Sequence, residues 1–239
     1  MSLADSLDIL FEDNHCLALN KPAGWPTTHF DGTEETVDRL AKSYLKEKHN
    51  KPGNVFLGVV HRLDKPTSGV LLFARTSKSA SRLSEQFREG AIEKVYWAVV
   101  EASGRRQPAV PWEVADTGSL EDWLKKNDAT ARVEVVAPET YESQFARLLF
   151  TVKARHDDLT LLELRPHTGR KHQLRVQLSS RGGPIYGDAK YGSPHLFGPA
   201  IALHARSLTF LHPVTKEPIT LTAELPKPWK GRFAYLLKG

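Results

Sequence analysis

The segment HRLDKPTSG, His61 to Gly69, sets the carboxylate of Asp64 among the imidazole of His61, the guanidinium of Arg62 and the hydroxyls of Thr67 and Ser68. A carboxylate so placed can act on a substrate, but a lone Asp in such a loop more often caps local N–H groups as a turn residue. A second stretch, LRPHTGRKHQLRVQL from Leu164 to Leu178, offers complementary chemistry. Between Arg165 and Arg181 there are five cations (Arg165, Arg170, Lys171, Arg175, Arg181), with His167 and His172 added and no Asp or Glu. The chain's formal net charge is +5, so this run alone matches the whole excess. Its functional reading is an anion-binding entrance, with a helix beginning near Thr168 and basic side chains on its first turns. Its bland reading is a solvated basic face. Leu174 and Leu178 lie four apart and face the core, which puts Arg175 beside a buried edge where its charge requires a carboxylate partner.

The elements that must position these residues can be traced from hydrophobic period and turn signals. LDILF and CLALN, separated by Glu12-Asp13-Asn14, read as two short strands. Thr36 to Lys48 has helical spacing and is followed by a Lys-Pro-Gly break. Val55 to Val60 and Val70 to Ala74 read as strands, so HRLDKPTSG connects two strands, where an exposed working side chain is expected. Ser77 to Glu89 reads as a helix stopped by Gly90, and Lys94 to Glu101 as a strand. Residues 103–128 break the pattern with Gly104, Pro108, Pro111 and Gly118 among charges, and read as a surface excursion within one domain. Strands resume at Ala131 to Val136, Ala146 to Ala154 and Thr160 to Leu164, followed by the helix from Thr168 to near Gly182 and strands at Leu203 to Leu211 and Ile219 to Glu224. Strands outnumber helices without regular alternation, which argues for an α+β fold with a mixed, largely antiparallel central sheet and flanking helices.

A chain of 239 residues, 40% hydrophobic, can bury a core without staples. Its single cysteine, Cys16, excludes an internal disulfide, and no Cys/His grouping has zinc spacing. Neither a signal peptide nor a bilayer-length apolar run is present, so a cytoplasmic protein with no membrane partner and no metal is expected.

The order HRLDKPTSG, EKVYWAVV (Glu93 to Val100), RPHTGRKHQLRVQL, GGPIYGDAKYG (Gly182 to Gly192) and LHARSLTFLHP (Leu203 to Pro213) resembles the RluA-type family of RNA pseudouridine synthases. NKPAGWPT, Asn20 to Thr27, is similar to that family's opening motif. The resemblance implies a single catalytic domain over residues 1–239 with a catalytic cleft, and no N-terminal S4-type domain. It implies an isomerase converting uridine to pseudouridine in ribosomal or transfer RNA. No cofactor is implied, because the reaction involves neither redox chemistry nor hydrolysis. By the same resemblance Asp64 is the catalytic carboxylate, Tyr96 lies against the uracil, and Arg175 ion-pairs with the Asp. Arg62 and His61 beside the loop, with Arg165, Arg170 and Lys171, are the expected RNA contacts, and a monomer is expected. Gln177 departs from the family, where His is common, and residues 103–128 match none of its motifs; both departures bear on the substrate. Two other classes suit the same residues: an RNA-binding protein without catalysis, and a base-removing glycosidase.

Overall fold

The computed structural model describes residues 7–28, 35–101 and 110–238. In chain order the elements are β1 (Ile9–Glu12), β2 (Cys16–Lys21), α1 (Val37–Lys48), β3 (Gly58–Val59), β4 (Ser68–Ala74), α2 (Ser77–Glu89) and β5 (Glu93–Glu101). There follow α3 (Pro111–Val114), β6 (Thr117–Asn127), β7 (Arg132–Val136), β8 (Gln144–His156), β9 (Leu159–Pro166), α4 (Gln173–Ser179), β10 (Leu203–Leu211), β11 (Pro218–Thr222) and α5 (Lys227–Arg232). This is the expected α+β class with largely antiparallel strand pairing. The chain divides into two compact units, one holding residues 1–94 and 205–225, the other residues 95–204 and 226–239.

In the first unit β4 is SGVLLFA, buried at every position, because both of its faces are covered and it reads as a continuous apolar run. It pairs antiparallel with β2 and β3, and β1 extends β2 antiparallel. β10 lies on the other side of β4 and carries β11. Cys16, Ala18, Val70, Leu72, Leu83, Leu208 and Phe210 form the core beneath α2. That helix begins where the Thr76 side chain accepts the Ser79 N–H and ends at Gly90 in the left-handed conformation. Gly69, the last residue of HRLDKPTSG, has φ +115°, and a Cβ there would stand 2.2 Å from the Ala205 carbonyl oxygen. The glycine serves a close backbone approach to β10, which fixes the strand end that follows the loop.

The second unit is an antiparallel sheet in the order β5-β9-β8-β6-β7. Cross-strand partners share a face, so Tyr96, Leu164, Phe150, Leu120, Ala146 and Leu124 point to one side. α4 covers that side, with Val176 packed among Leu124, Val133, Ala146 and Tyr191.

Three expectations are corrected. Residues 110–128 are structural, whereas 103–109 lie outside the described residues: β6 is an eleven-residue strand between β7 and β8. Trp112 of α3 is fully buried against Phe150 at 6.0 Å. The four charges of TGSLEDWLKKN, two on each face, hid an alternation whose inward apolar members are Leu120 and Leu124. The strand expected over Val55 to Val60 shortens to Gly58–Val59. The helix expected from Thr168 starts at Gln173 and ends at Ser179, because the Thr168 hydroxyl accepts the Arg147 N–H and donates to Gln173 Oε1. α5 was not anticipated; its anchor is buried Trp229 in a segment dominated by Lys and Pro.

Candidate active site

Asp64 is half-buried on the connection leading into β4, and Arg62 beside it is exposed. The backbone on either side of Asp64 is pinned. Before it, the Thr27 hydroxyl donates to the Leu63 carbonyl at 3.0 Å and accepts the Leu63 N–H at 3.2 Å. After it, the Lys65 carbonyl accepts the Gly24 N–H at 2.8 Å and the Lys21 ammonium at 3.2 Å. The Asp64 carbonyl itself accepts the Thr67 N–H at 3.0 Å, closing a turn. NKPAGWPT and HRLDKPTSG are therefore stitched to each other by four hydrogen bonds, two from Lys21 and Gly24 to the Lys65 carbonyl and two between Thr27 and Leu63.

Lys21 was missed as a site residue, although its motif was noticed. Its side chain is fully buried, and Nζ also donates to the Pro22 and Trp25 carbonyls at 2.9 and 2.7 Å. Burial lowers its pKa to about 7, against the opposing pull of the Asp64 charge. A lysine beside Pro in a short motif gives no sequence signal of burial; only its surroundings reveal it.

His61 is taken up by the fold. Its ring stacks on Phe87 at 4.6 Å and Nε2 accepts the Leu72 N–H at 2.9 Å. Burial, reinforced by the nearby Lys94 charge, pushes its pKa down to about 3, so the imidazole is neutral. With its acceptor nitrogen engaged by β4, the ring lines one wall of the loop.

In the second unit Tyr96 stands on β5 opposite Leu164, on the sheet face that α4 covers. Arg175 is 5% exposed, and within the unit it is met by a carboxylate that the sequence reading did not name, Asp188 of GGPIYGDAKYG. Nε donates to Asp188 Oδ2 at 2.7 Å and Nη2 to Oδ1 at 2.8 Å, a two-pronged pair. The guanidinium carbon lies 5.0 Å from the Tyr191 ring centre. The Tyr191 hydroxyl accepts the Val133 N–H at 3.1 Å and meets His172 Nδ1 at 2.8 Å, holding His172 in its left-handed backbone conformation.

The basic run is divided in its use. Arg181 makes two bonds to Asp122, at 2.8 and 3.0 Å, and so, like Arg175, its charge is met inside the unit. Gln177, the departure from the family, donates to the same Asp122 at 2.7 Å. Arg165 points to the sheet face opposite Tyr96 and pairs with Glu163 at 2.8 Å. Arg170 and Lys171 lie in the loop before α4, with Arg170 Nε donating to the Phe145 carbonyl at 3.0 Å. The residues expected to form an anion-binding entrance therefore lie in a loop and not on the first turns of a helix.

One grouping among the described residues, Asp13, Cys16 and His212, has atoms close enough for a metal. Its bonding argues otherwise. His212 Nδ1 accepts the Thr215 N–H at 3.0 Å, which leaves the proton on Nε2 facing Asp13 at 2.8 Å. Burial raises the Cys16 thiol to about 12, so it stays protonated.

Residues 15–180 match the family described as RNA pseudouridylate synthase. The chain is 35% identical to a tRNA pseudouridine synthase C of Yersinia pestis, across 94% of this chain and 89% of that protein. It is also 35% identical to one of Haemophilus influenzae, across 94% and 95% respectively. The structure of human RNA Pseudouridylate Synthase Domain Containing 4 superposes with a TM-score of 0.76 at 26% identity, covering 99% of this chain and 94% of that one. The pinned Asp64 loop and the buried arginine lie on motifs that the resemblance had assigned to this chemistry. The chain thus belongs to the RluA-type RNA pseudouridylate synthase family and is an isomerase that converts uridine in RNA to pseudouridine.

Proposed function

We propose that the chain modifies transfer RNA, with Asp64 as catalytic carboxylate, Tyr96 as the surface for the detached uracil and Arg175 as the cation that pairs with the carboxylate. The observation that carries this reading is the Asp64 loop: the backbone is locked on both sides while the acidic side chain is left half-buried. Both bacterial relatives carry transfer RNA in their names, which supports the substrate class.

The reaction breaks the N1–C1′ bond, turns the base and forms a C5–C1′ bond; the C5 proton leaves and N1 gains one. Atoms and electrons balance within the substrate and solvent, so no cofactor is required. The reacting centre needs an anion beside the sugar, and an ionised Asp64 supplies it either by attack on C1′ or by removing a C2′ proton. Tyr96 offers a ring face to the free base and a phenol for proton transfer. The target uridine must leave its stack, at a cost of about a few kcal/mol. Exposed Arg62 holds the flipped nucleotide, and Arg170 and Lys171 meet backbone phosphates. Among the described residues no helix is long and apolar enough to cross a membrane. The enzyme works as a cytoplasmic monomer.

The test is tritium release from RNA labelled at uridine C5, comparing transfer and ribosomal RNA and checking strand integrity. Release from transfer RNA without abasic sites is expected. Abasic sites would identify a glycosidase, and binding without release would identify a protein that no longer catalyses.

A further inference from the structure

The face of the second unit's sheet turned away from α4 carries a cluster that the reaction does not use. Trp123 and Phe145 are cross-strand partners there, edge to face at 5.9 Å, and Val136 is the other partner of Trp123. Phe145 is 38% exposed, and Tyr141, in the connection from β7 to β8, is 80% exposed. The Lys125 ammonium lies 5.7 Å from the Tyr141 ring centre. Three aromatic rings at one sheet end, two of them open to solvent, leave apolar area that a partner could cover.

Cations frame these rings. Arg147 follows Phe145 by two residues on the same face, 48% exposed and 3.3 Å from Glu121, and Lys125 stands 3.9 Å from Glu142, so both cations sit in open surface pairs that a phosphate can enter. Arg170 is fastened to the Phe145 carbonyl. The basic loop itself is sewn along this strand end: the His167 N–H and Gln173 Nε2 both donate to the Arg147 carbonyl, at 3.0 and 3.1 Å. The rings and the loop before α4 thus form one surface that turns around the start of β8. Rings alternating with guanidinium and ammonium groups fit unpaired nucleotides, whose bases stack while their phosphates meet the cations. A purely apolar protein partner would leave those cations facing its contact.

We propose that Tyr141, Phe145 and Trp123, with Arg147 and Lys125, form a second RNA contact that stacks an unpaired nucleotide of the substrate away from the uridine being modified. This rests on RNA being the substrate and adds where a further part of that RNA lies.

The test compares two RNAs by fluorescence anisotropy: a transfer RNA transcript that releases tritium, and a seven-nucleotide RNA centred on its modified uridine. Tyr141→Ala should weaken binding of the transcript about five- to tenfold and leave the short RNA's affinity unchanged. Tyr141→Phe should restore it, and adding Phe145→Thr to Tyr141→Ala should weaken it further. Because Tyr141 is mostly exposed, the single variant keeps the test valid if the double variant unfolds. Unchanged affinity for the transcript would overturn the proposal, as would equal losses on both RNAs. So would a wild-type dimer that Tyr141→Ala converts to monomer in sedimentation, which would make the patch a contact between copies. Absence of tritium release from every RNA by the wild-type enzyme would instead sink the underlying reading.

Discussion

The loop bearing Asp64 and the helix bearing Arg175 hold their charged groups in opposite ways. Around Asp64 the neighbours are fixed through their backbone, by Thr27 on one side and by Gly24 and Lys21 on the other. Arg175 is fixed through its own side chain, between Asp188 and the Tyr191 ring in a buried setting. The bonds that pin the loop backbone would thus stay in place when the Asp64 side chain is changed, whereas the helix cannot change its arginine without stranding a buried carboxylate. Function and stability are separable at the first position and joined at the second.

That contrast can be broken most directly at Asp64. Asp64→Asn should reduce tritium release by about a thousandfold or more, the scale expected when a covalent or basic group is removed as one member of a set. Its unfolding free energy should stay within about 0.5 kcal/mol of wild type by urea titration. A large stability loss would mean that the carboxylate itself holds the loop.

Arg175→Ala is expected to lower stability by about 3–5 kcal/mol and to abolish activity, since it leaves Asp188 buried and unpaired. Asp188→Asn should share much of that loss, although Asp188 has no assigned role in the chemistry. Arg175→Lys should not rescue either property, because an ammonium cannot reproduce two parallel bonds. Wild-type stability in Asp188→Asn would show that Arg175 is held by something else.

The pH dependence sharpens the first half of the comparison. His61 is neutral in the fold with its pKa pushed down to about 3, whereas an unfolded imidazole takes a proton below about 6.5. The unfolded state binds the extra proton between those values, so stability falls as pH drops through that window. Lys21 has the matching behaviour at higher pH: folded pKa about 7, unfolded about 10.4, so its contribution improves as pH rises between them. Replacing Lys21 by Met should flatten the alkaline rise in a series of thermal melts, and replacing His61 by Gln should flatten the acid fall. Unaltered slopes in both variants would show that neither group is perturbed by burial.

The smallest effect concerns salt. With Arg175 and Arg181 held in the interior by Asp188 and Asp122, the three cations of the run proposed to meet phosphates are Arg170, Lys171 and Arg165, whose pair with Glu163 is solvent-exposed on the arginine side. At about −0.7 per single-stranded phosphate, their share of the slope of log affinity against log salt is about −2, against about −3.5 for all five. Substituting the three by Gln should remove that share from a binding titration. An unchanged slope would return the run to an ordinary solvated surface.

Much of the fold was legible because local signals agreed with tertiary demand. α2 was readable over Ser77 to Glu89 with Gly90 as its stop, and β4 from an unbroken apolar run. β6 was not, because its four charged residues, two on each face, mask the two leucines that hold it to α4. The start of α4 was misread because Thr168 can cap a helix in principle, yet its hydroxyl is engaged between β8 and Gln173.

For the site, the sequence by itself determined which residue types stand in which motifs, and through those motifs the family and its reaction. It also required that a cation as central in its helix as Arg175 find a carboxylate. Tertiary structure alone decided that Asp188 is a carboxylate meeting it, that His61 is a neutral wall, and that Lys21 is a buried tie on the Asp64 loop. The physical reason is one of distance along the chain. A motif records what a position must carry, but burial and hydrogen-bond partners come from segments far apart in sequence, as Lys21 and Lys65 are, and no local pattern encodes them.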